Sequence, residues 1–188
     1  LITLAEHASN TLPWFEVAKH TGAIIKYIDL DEEGKVTLEN VKKAVTEHTK
    51  IISLAQITNV LGYLAPIKEI CNFAHEHDII VCVDGAQSAP HHAVDVQDLD
   101  VDFFAFSGHK MCGPTGVGVL YGKYHLLEEM TPTRFGGGSN ARYNSCGLVK
   151  LKNAPTKFET GTPNIEGVIG LGSAIEYLQN IGMKNIEE

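Results

Sequence analysis

The chain has 188 residues, of which 44% are hydrophobic and 20% charged, and its 23 acidic residues against 15 basic ones give a formal net charge of −8. This composition is typical of a globular chain and argues against a disordered one. The acidic balance and the absence of any Lys/Arg run longer than two residues argue against a nucleic-acid-binding protein. No apolar run approaches the roughly 20 residues that cross a bilayer, so we expect no membrane association.

The cysteines and the chain ends give two further expectations. The four cysteines are widely spaced and form no C-x-x-C pair, which predicts reduced thiols in a cytoplasmic protein and no zinc site. They are Cys71, Cys82, Cys112 and Cys146. The chain begins at Leu1 without a Met and ends at Glu188 inside a helical pattern, so we expect a fragment of a longer protein.

The first half of the chain alternates between predicted strands and helices. The apolar run at 23–28 predicts a strand, and Thr37 is placed to cap a helix that carries apolar residues from Leu38 to Val45. The run at 51–55 predicts a second strand. Apolar residues at i, i+3, i+4 and i+7 within 67–74 predict a second helix.

The second half continues the alternation. The continuous apolar run at 79–83 predicts a strand buried on both faces of a parallel sheet, and 101–106 and 117–121 predict two more strands. The loop between these last two is too short for a crossover helix, which leaves room for an antiparallel pair. Apolar spacing over 165–178 predicts a final helix. The fold expected is α/β, with three α/β/α layers around a mixed, mainly parallel sheet.

Polar side chains follow three of the predicted strands. Asp84 follows the strand at 79–83, Ser107, His109 and Lys110 follow the next strand, and Asn59 follows the strand at 51–55. In open α/β sheets ligands bind at the carboxyl ends of the strands, so we expect these groups at one rim. Simpler explanations stay open, since Asp84 is also placed to cap a short helix and a loop lysine is commonly a solvated charge.

The combination of a strand-end carboxylate and a lysine in a tight loop indicates pyridoxal phosphate. A lysine amine forms a Schiff base with an aldehyde, and a carboxylate keeps the pyridine nitrogen protonated. Ser107 and His109 offer donors for a phosphate. The glycine-rich run 113–118 lacks the Lys-Ser/Thr of a P-loop, and no histidine set has metal-ligand spacing, so we expect no metal.

These residues carry a family resemblance. The segment VDGAQSAPHHAVDVQDLDVDFFAFSGHKMCGPTGVGVLYG, from Val83 to Gly122, resembles the class V pyridoxal-phosphate enzymes, and within them the SufS-like cysteine desulfurases. The resemblance continues through Glu6-His7, the Thr58–Gly62 run and the GTPN turn at 161–164. Residues 1–188 would then be a partial cofactor-binding large domain of fold type I, without its N-terminal segment and its C-terminal small domain.

The resemblance implies a role for each candidate residue. Lys110 would hold the cofactor and move the Cα proton of the substrate, and His7 would stack on the ring and pass protons. The remaining cofactor contacts would come from Asp84 at the ring nitrogen, Gln87 at the ring hydroxyl, Asn59 near that hydroxyl, Ser107 and His109 at the phosphate, and Thr162 at the phosphate of a neighbouring subunit. Without the resemblance, His7 could equally be a surface histidine, and Thr162 could be part of a simple turn.

The resemblance also implies an activity and partners. It predicts conversion of L-cysteine to L-alanine, with persulfide sulfur passed to an acceptor or scaffold protein for iron–sulfur cluster assembly. A homodimer with shared sites is implied by Thr162, and the irregular segment 136–152 would be an extended loop or hairpin toward the dimer partner. Two alternatives stay open: another class V enzyme, such as an aminotransferase or selenocysteine lyase, and a fragment that folds without cofactor. None of the four cysteines matches the family nucleophile.

Overall fold

The computed structural model describes all residues from Leu1 to Glu188. Eight strands form three sheets, and seven α-helices connect or flank them. The strands are β1 (Ile2–Thr3), β2 (Tyr27–Ile28), β3 (Ile51–Ala55), β4 (Ile80–Asp84), β5 (Phe103–Ser107), β6 (Gly118–Gly122), β7 (Asn140–Tyr143) and β8 (Val149–Leu151). The helices are α1 (Leu12–Thr21), α2 (Leu38–Ala44), α3 (Ile67–His75), α4 (Val96–Leu99), α5 (Tyr124–Glu129), α6 (Ile165–Ile181) and α7 (Met183–Glu187).

The central sheet has four strands in the order β3-β4-β5-β6. The β3–β4 and β4–β5 pairs are parallel, and the β5–β6 pair is antiparallel. The register aligns Ala55 with Asp84 and Asp84 with Ala105, so these strands end at one rim. The predicted mixed, mainly parallel α/β sheet is confirmed, including the antiparallel pairing that the short connection allowed.

Helices α2 and α3 follow local sequence signals. Thr37 Oγ1 accepts a hydrogen bond from the Asn40 N–H at 3.2 Å and so caps α2, as predicted. One face of α3 is fully buried, because its apolar residues recur at helical spacing. The buried residues of that face are Ile67, Ile70, Cys71 and Ala74.

The main core lies on one face of the central sheet. Alternate strand residues enter it, and α3 covers them. The residues that the central sheet contributes to this core are Ile52, Leu54, Val81, Val83 and Phe104.

The opposite face of the sheet is only partly covered, which corrects the prediction for β4. Val81 and Val83 are buried, but Ile80, Cys82 and Asp84 on the other face are half-buried. The strand is therefore not enclosed on both sides. Ile80, Cys82 and Asp84 line a large cavity instead.

Several elements differ from the expectation at other points. Of the run predicted as a strand at 23–28, only Tyr27–Ile28 forms a strand, because β1 is two residues long, and Ile24 is 82% exposed. Helix α1 has no buried residue, so its sequence has no pattern of core-facing apolar residues that would have predicted a helix. The segment 136–152 contains the antiparallel hairpin β7–β8. No helix in the structure is both long and apolar enough to cross a membrane.

Candidate active site

The site lies at the carboxyl rim of the parallel strands and extends along the uncovered face of the sheet. It is a cavity of about 930 Å³. Five of the eight predicted site residues line it: His7, Asp84, Ser107, His109 and Lys110. The groups that follow two of the three predicted strands meet in this cavity, whereas Asn59, which follows the third, does not line it.

Asp84 is the last residue of β4, and its position is fixed by the turn that follows. Its Oδ1 accepts a hydrogen bond from the Ala86 N–H at 2.8 Å. Gly85 passes so close to Phe104 that an added Cβ would lie 2.0 Å from the ring Cζ, so only glycine fits there. The Asp84 carboxylate is half-buried at the cavity and makes no ion pair with any residue of the chain. It has free acceptor capacity toward the cavity.

Lys110 ends a 3₁₀ turn, Gly108–Lys110, directly after β5. A Cβ at Gly108 would lie 2.8 Å from Val117 Cγ1, and the Met111 and Gly113 N–H groups both donate to Gly108 O. This tight turn holds the lysine at the rim. The half-buried ammonium group makes no hydrogen bond or ion pair within the chain, and Ser107 and His109 flank it in the same cavity.

His7 comes to the site from outside the central sheet. It caps the short 3₁₀ helix Ala8–Asn10, where Nδ1 accepts a hydrogen bond from the Ser9 N–H at 3.2 Å. That contact places the proton of the neutral ring on Nε2. The His7 ring is exposed and lines the cavity with Trp14.

Three predicted residues do not line the cavity. Gln87 is half-buried in the turn after β4, and Asn59 and Thr162 are exposed. The turn that carries Thr162 is held against the 113–118 loop, because Asn164 caps α6 through Gly167 N–H and donates to Gly116 O at 3.3 Å. Their cofactor contacts stay predictions.

Two buried oxygens near the rim lack partners. Gln56 follows β3 and donates its N–H to Asp84 O at 3.0 Å, yet its Oε1 has no hydrogen bond. Thr58 is 3% exposed, and its Oγ1 is also unpaired. Unpaired buried polar atoms are costly, and they are typical of sites rather than of cores.

The sequence did not indicate several cavity residues. Cys82 and Ser53 lie on strands whose neighbours are core residues, and only the strand alternation would have assigned them to the other face. Asn10 and Trp14 come from the segment after β1, for which no pattern predicted a position.

The donor set fits pyridoxal phosphate. It combines an amine that can hold an aldehyde, a carboxylate for a protonated ring nitrogen, a hydroxyl and an imidazole for a phosphate, and a second imidazole at the cavity wall. The cavity is also at the upper end of the size typical for cofactor sites, roughly 300–1,000 Å³.

Comparison with known proteins agrees with the fold. The family model described as aminotransferase class-V matches residues 1–188. A probable cysteine desulfurase of Halalkalibacterium halodurans is 52% identical over 190 residues, which cover 100% of this chain and 46% of that relative. The fold is that of the fold-type I, pyridoxal-phosphate-dependent class. The chain belongs to the aminotransferase class V family.

Solved structures resemble the chain closely. The cysteine desulfurase CsdA from Escherichia coli superimposes with a TM-score of 0.94 at 42% identity, over 98% of this chain and 46% of that one. A variant of the lyase C-DES with glycine covalently linked to its PLP cofactor gives a TM-score of 0.85 at 27% identity, over 96% of this chain and 49% of that one. The chain therefore spans about half the length of the relatives it matches.

Proposed function

We propose that the protein carrying this chain is a pyridoxal-phosphate-dependent cysteine desulfurase. The observation that carries the proposal is the meeting of Asp84, Lys110 and His7 in one cavity of a class V domain. The similarity to relatives named as cysteine desulfurases, at 43–52% identity, supports this reaction over others in the family.

Each cavity residue would have a role that follows from its chemistry. Pyridoxal phosphate, when bound, supplies an electron sink for the bonds of a substrate amine. Asp84 would pair with the ring nitrogen, and Ser107 with His109 would bind the phosphate. Lys110 would hold the cofactor through its ε-amino group and, once released by the substrate amine, remove the Cα proton. His7 would cover the ring face and present its Nε2–H as a donor to the cavity.

The overall reaction balances with one thiol acceptor. L-cysteine and a protein thiol give L-alanine and a protein persulfide, because the Cβ–S bond breaks and an S–S bond forms. None of the four cysteines is assigned as that thiol. Burial raises the pKa of Cys71 and of Cys82 to about 12, so neither is a thiolate at neutral pH. Cys112 and Cys146 are exposed, and neither lines the cavity.

The partners proposed are a second copy of the chain and a sulfur acceptor of iron–sulfur cluster assembly, in the cytoplasm. The hairpin in 136–152 supports the homodimer, because it exposes Tyr143 (72%), Leu148 (64%) and Val149 (52%). Residues 134–152 hold four basic residues and no acidic one, in a chain of net charge −8. An acidic surface of a second copy is a fitting partner for this hairpin. Thr162 would reach the phosphate of the neighbouring subunit across the same dimer.

The experiment is a product assay with the full-length protein. With L-cysteine and a thiol reductant, alanine and sulfide should form in equal amounts. The Lys110→Arg variant keeps the charge but loses the nucleophilic amine, so it should form neither product. A keto acid without sulfide would identify an aminotransferase and contradict the proposal, and preference for selenocysteine over cysteine would identify a lyase for that substrate.

A further inference from the structure

We propose that Glu6 is a positioning residue for His7: its carboxylate clamps the two ends of the turn that presents His7 to the cavity. The proposal rests on the proposed function, because it assigns to His7 a role toward the bound cofactor. Glu6 itself does not line the cavity, so it acts only through its neighbours.

The clamp consists of two short hydrogen bonds. Thr3 Oγ1 donates to Glu6 Oε1 at 2.7 Å, and Asn10 Nδ2 donates to Glu6 Oε2 at 2.7 Å. Thr3 ends β1 and is 2% exposed, whereas Asn10 ends the 3₁₀ helix on the far side of His7. Both carboxylate oxygens are therefore used to join the start and the end of the turn.

The clamp is anchored to the central sheet. Ser53 Oγ donates to Asn10 Oδ1 at 2.7 Å, and Ser53 is 1% exposed in β3. Ser53 pairs in register with Cys82 of β4, and both line the cavity with Asn10. The chain of contacts from Ser53 through Asn10 to Glu6 fixes the turn relative to the strand that ends in Asp84.

His7 depends on this anchoring because little else holds it. The single hydrogen bond of its ring is the local one from the Ser9 N–H, and the residue is exposed. The position of the ring is thus set by the turn rather than by packing. Burial raises the pKa of Glu6, opposed by the hydrogen bonds from Thr3 and Asn10 and reinforced by the charge of Asp84. A half-buried carboxylate that feels the charge of Asp84 and uses both oxygens in hydrogen bonds is a candidate for a role beyond stability.

Two substitutions separate positioning from charge. Glu6→Ala removes both hydrogen bonds, whereas Glu6→Gln keeps one acceptor oxygen for Asn10 and offers an amide to Thr3 Oγ1. In the full-length holoenzyme, we expect Glu6→Ala to lower kcat by about tenfold with little change in KM, since a misplaced group costs rate. Glu6→Gln should stay within about twofold of the parent protein.

The double-mutant cycle with His7 is the decisive measurement. In a His7→Ala background, Glu6→Ala should lower kcat by less than about twofold, because the group it positions is gone. The absorption and circular dichroism of the bound cofactor should shift equally in Glu6→Ala, His7→Ala and the double variant, and not in Glu6→Gln. This spectroscopic comparison needs no turnover.

Three results would overturn the proposal. They are an unchanged Glu6→Ala holoenzyme, a Glu6→Gln loss equal to that of Glu6→Ala, and a full Glu6→Ala loss in the His7→Ala background. Failure of the proposed function looks different, since the parent protein would then bind no cofactor or form no alanine. If Glu6→Ala does not fold, Asn10→Ala breaks the same clamp from its other end and is judged by the same cycle.

Discussion

His75 Nε2 lies 2.9 Å from Oδ2 of the buried Asp102, at the end of the sheet opposite to the candidate active site. The same Oδ2 accepts a hydrogen bond from the Val81 N–H at 2.8 Å, and Lys123 Nζ lies 3.0 Å from Oδ1. Asp102 thus joins α3, β4 and the start of α5. A buried carboxylate with three donors stabilises the fold mainly by leaving none of them unpaired.

Asp102→Ala should lower the free energy of unfolding by about 3 kcal/mol, because it leaves the buried Val81 N–H without an acceptor and removes the contacts to His75 and Lys123. Urea unfolding followed by circular dichroism measures this. The matched control is Asp98→Ala, which removes the exposed ion pair with Lys68 (side chains 60% and 49% exposed). The control should cost less than about 1 kcal/mol. Equal losses in the two variants would contradict the role given to Asp102.

The loss of folding stability at acidic pH should depend on Asp100. The hydrogen bond from Lys123 holds the pKa of Asp100 below its usual range, with further help from His75. A lowered pKa means that the carboxylate stabilises the fold above its unfolded pKa of about 4, and that this contribution is lost as the pH falls through the lower folded pKa. The stability difference between the parent protein and Asp100→Asn should therefore be present at about pH 5 and shrink below about pH 4. A difference that grows on acidification would contradict this sign.

Thr58→Val should stabilise the protein. The Thr58 hydroxyl is buried and unpaired, so replacing it with a methyl group removes a desolvation cost of about 1 kcal/mol. The matched control is Thr3→Val at an equally buried position, where the hydroxyl donates to Glu6 and where stability should fall. Thermal unfolding of both variants measures whether each substitution raises or lowers the stability. A loss of stability in Thr58→Val would mean that its hydroxyl has a partner.

The sheet and its rim could be predicted because their signals are local. The apolar runs predicted β3, β4 and β5. Asp84, which ends β4, and Lys110, which follows β5, meet at one cavity. Parallel strands bring their carboxyl ends together, so chain order alone placed these groups. The uncovered face of β4 could not be predicted, because a continuous apolar run does not show which face a helix covers.

The His7 side of the site depended on contacts that sequence patterns do not show. The resemblance identified His7, but its support comes from Ser53, which contacts Asn10 across 43 positions. Glu6 and Asn10 belong to short irregular segments without apolar periodicity. Such residues become functional candidates only when the fold has brought them together.

We expect Lys110 to hold the cofactor in the cavity that it lines with Asp84. The most direct test of this expectation is borohydride reduction of the purified full-length protein, followed by mass spectrometry of its peptides. We expect one pyridoxyl adduct, on the peptide that contains Lys110, and no adduct in Lys110→Arg. An adduct on another lysine, or a parent protein that carries none after incubation with pyridoxal phosphate, would contradict it.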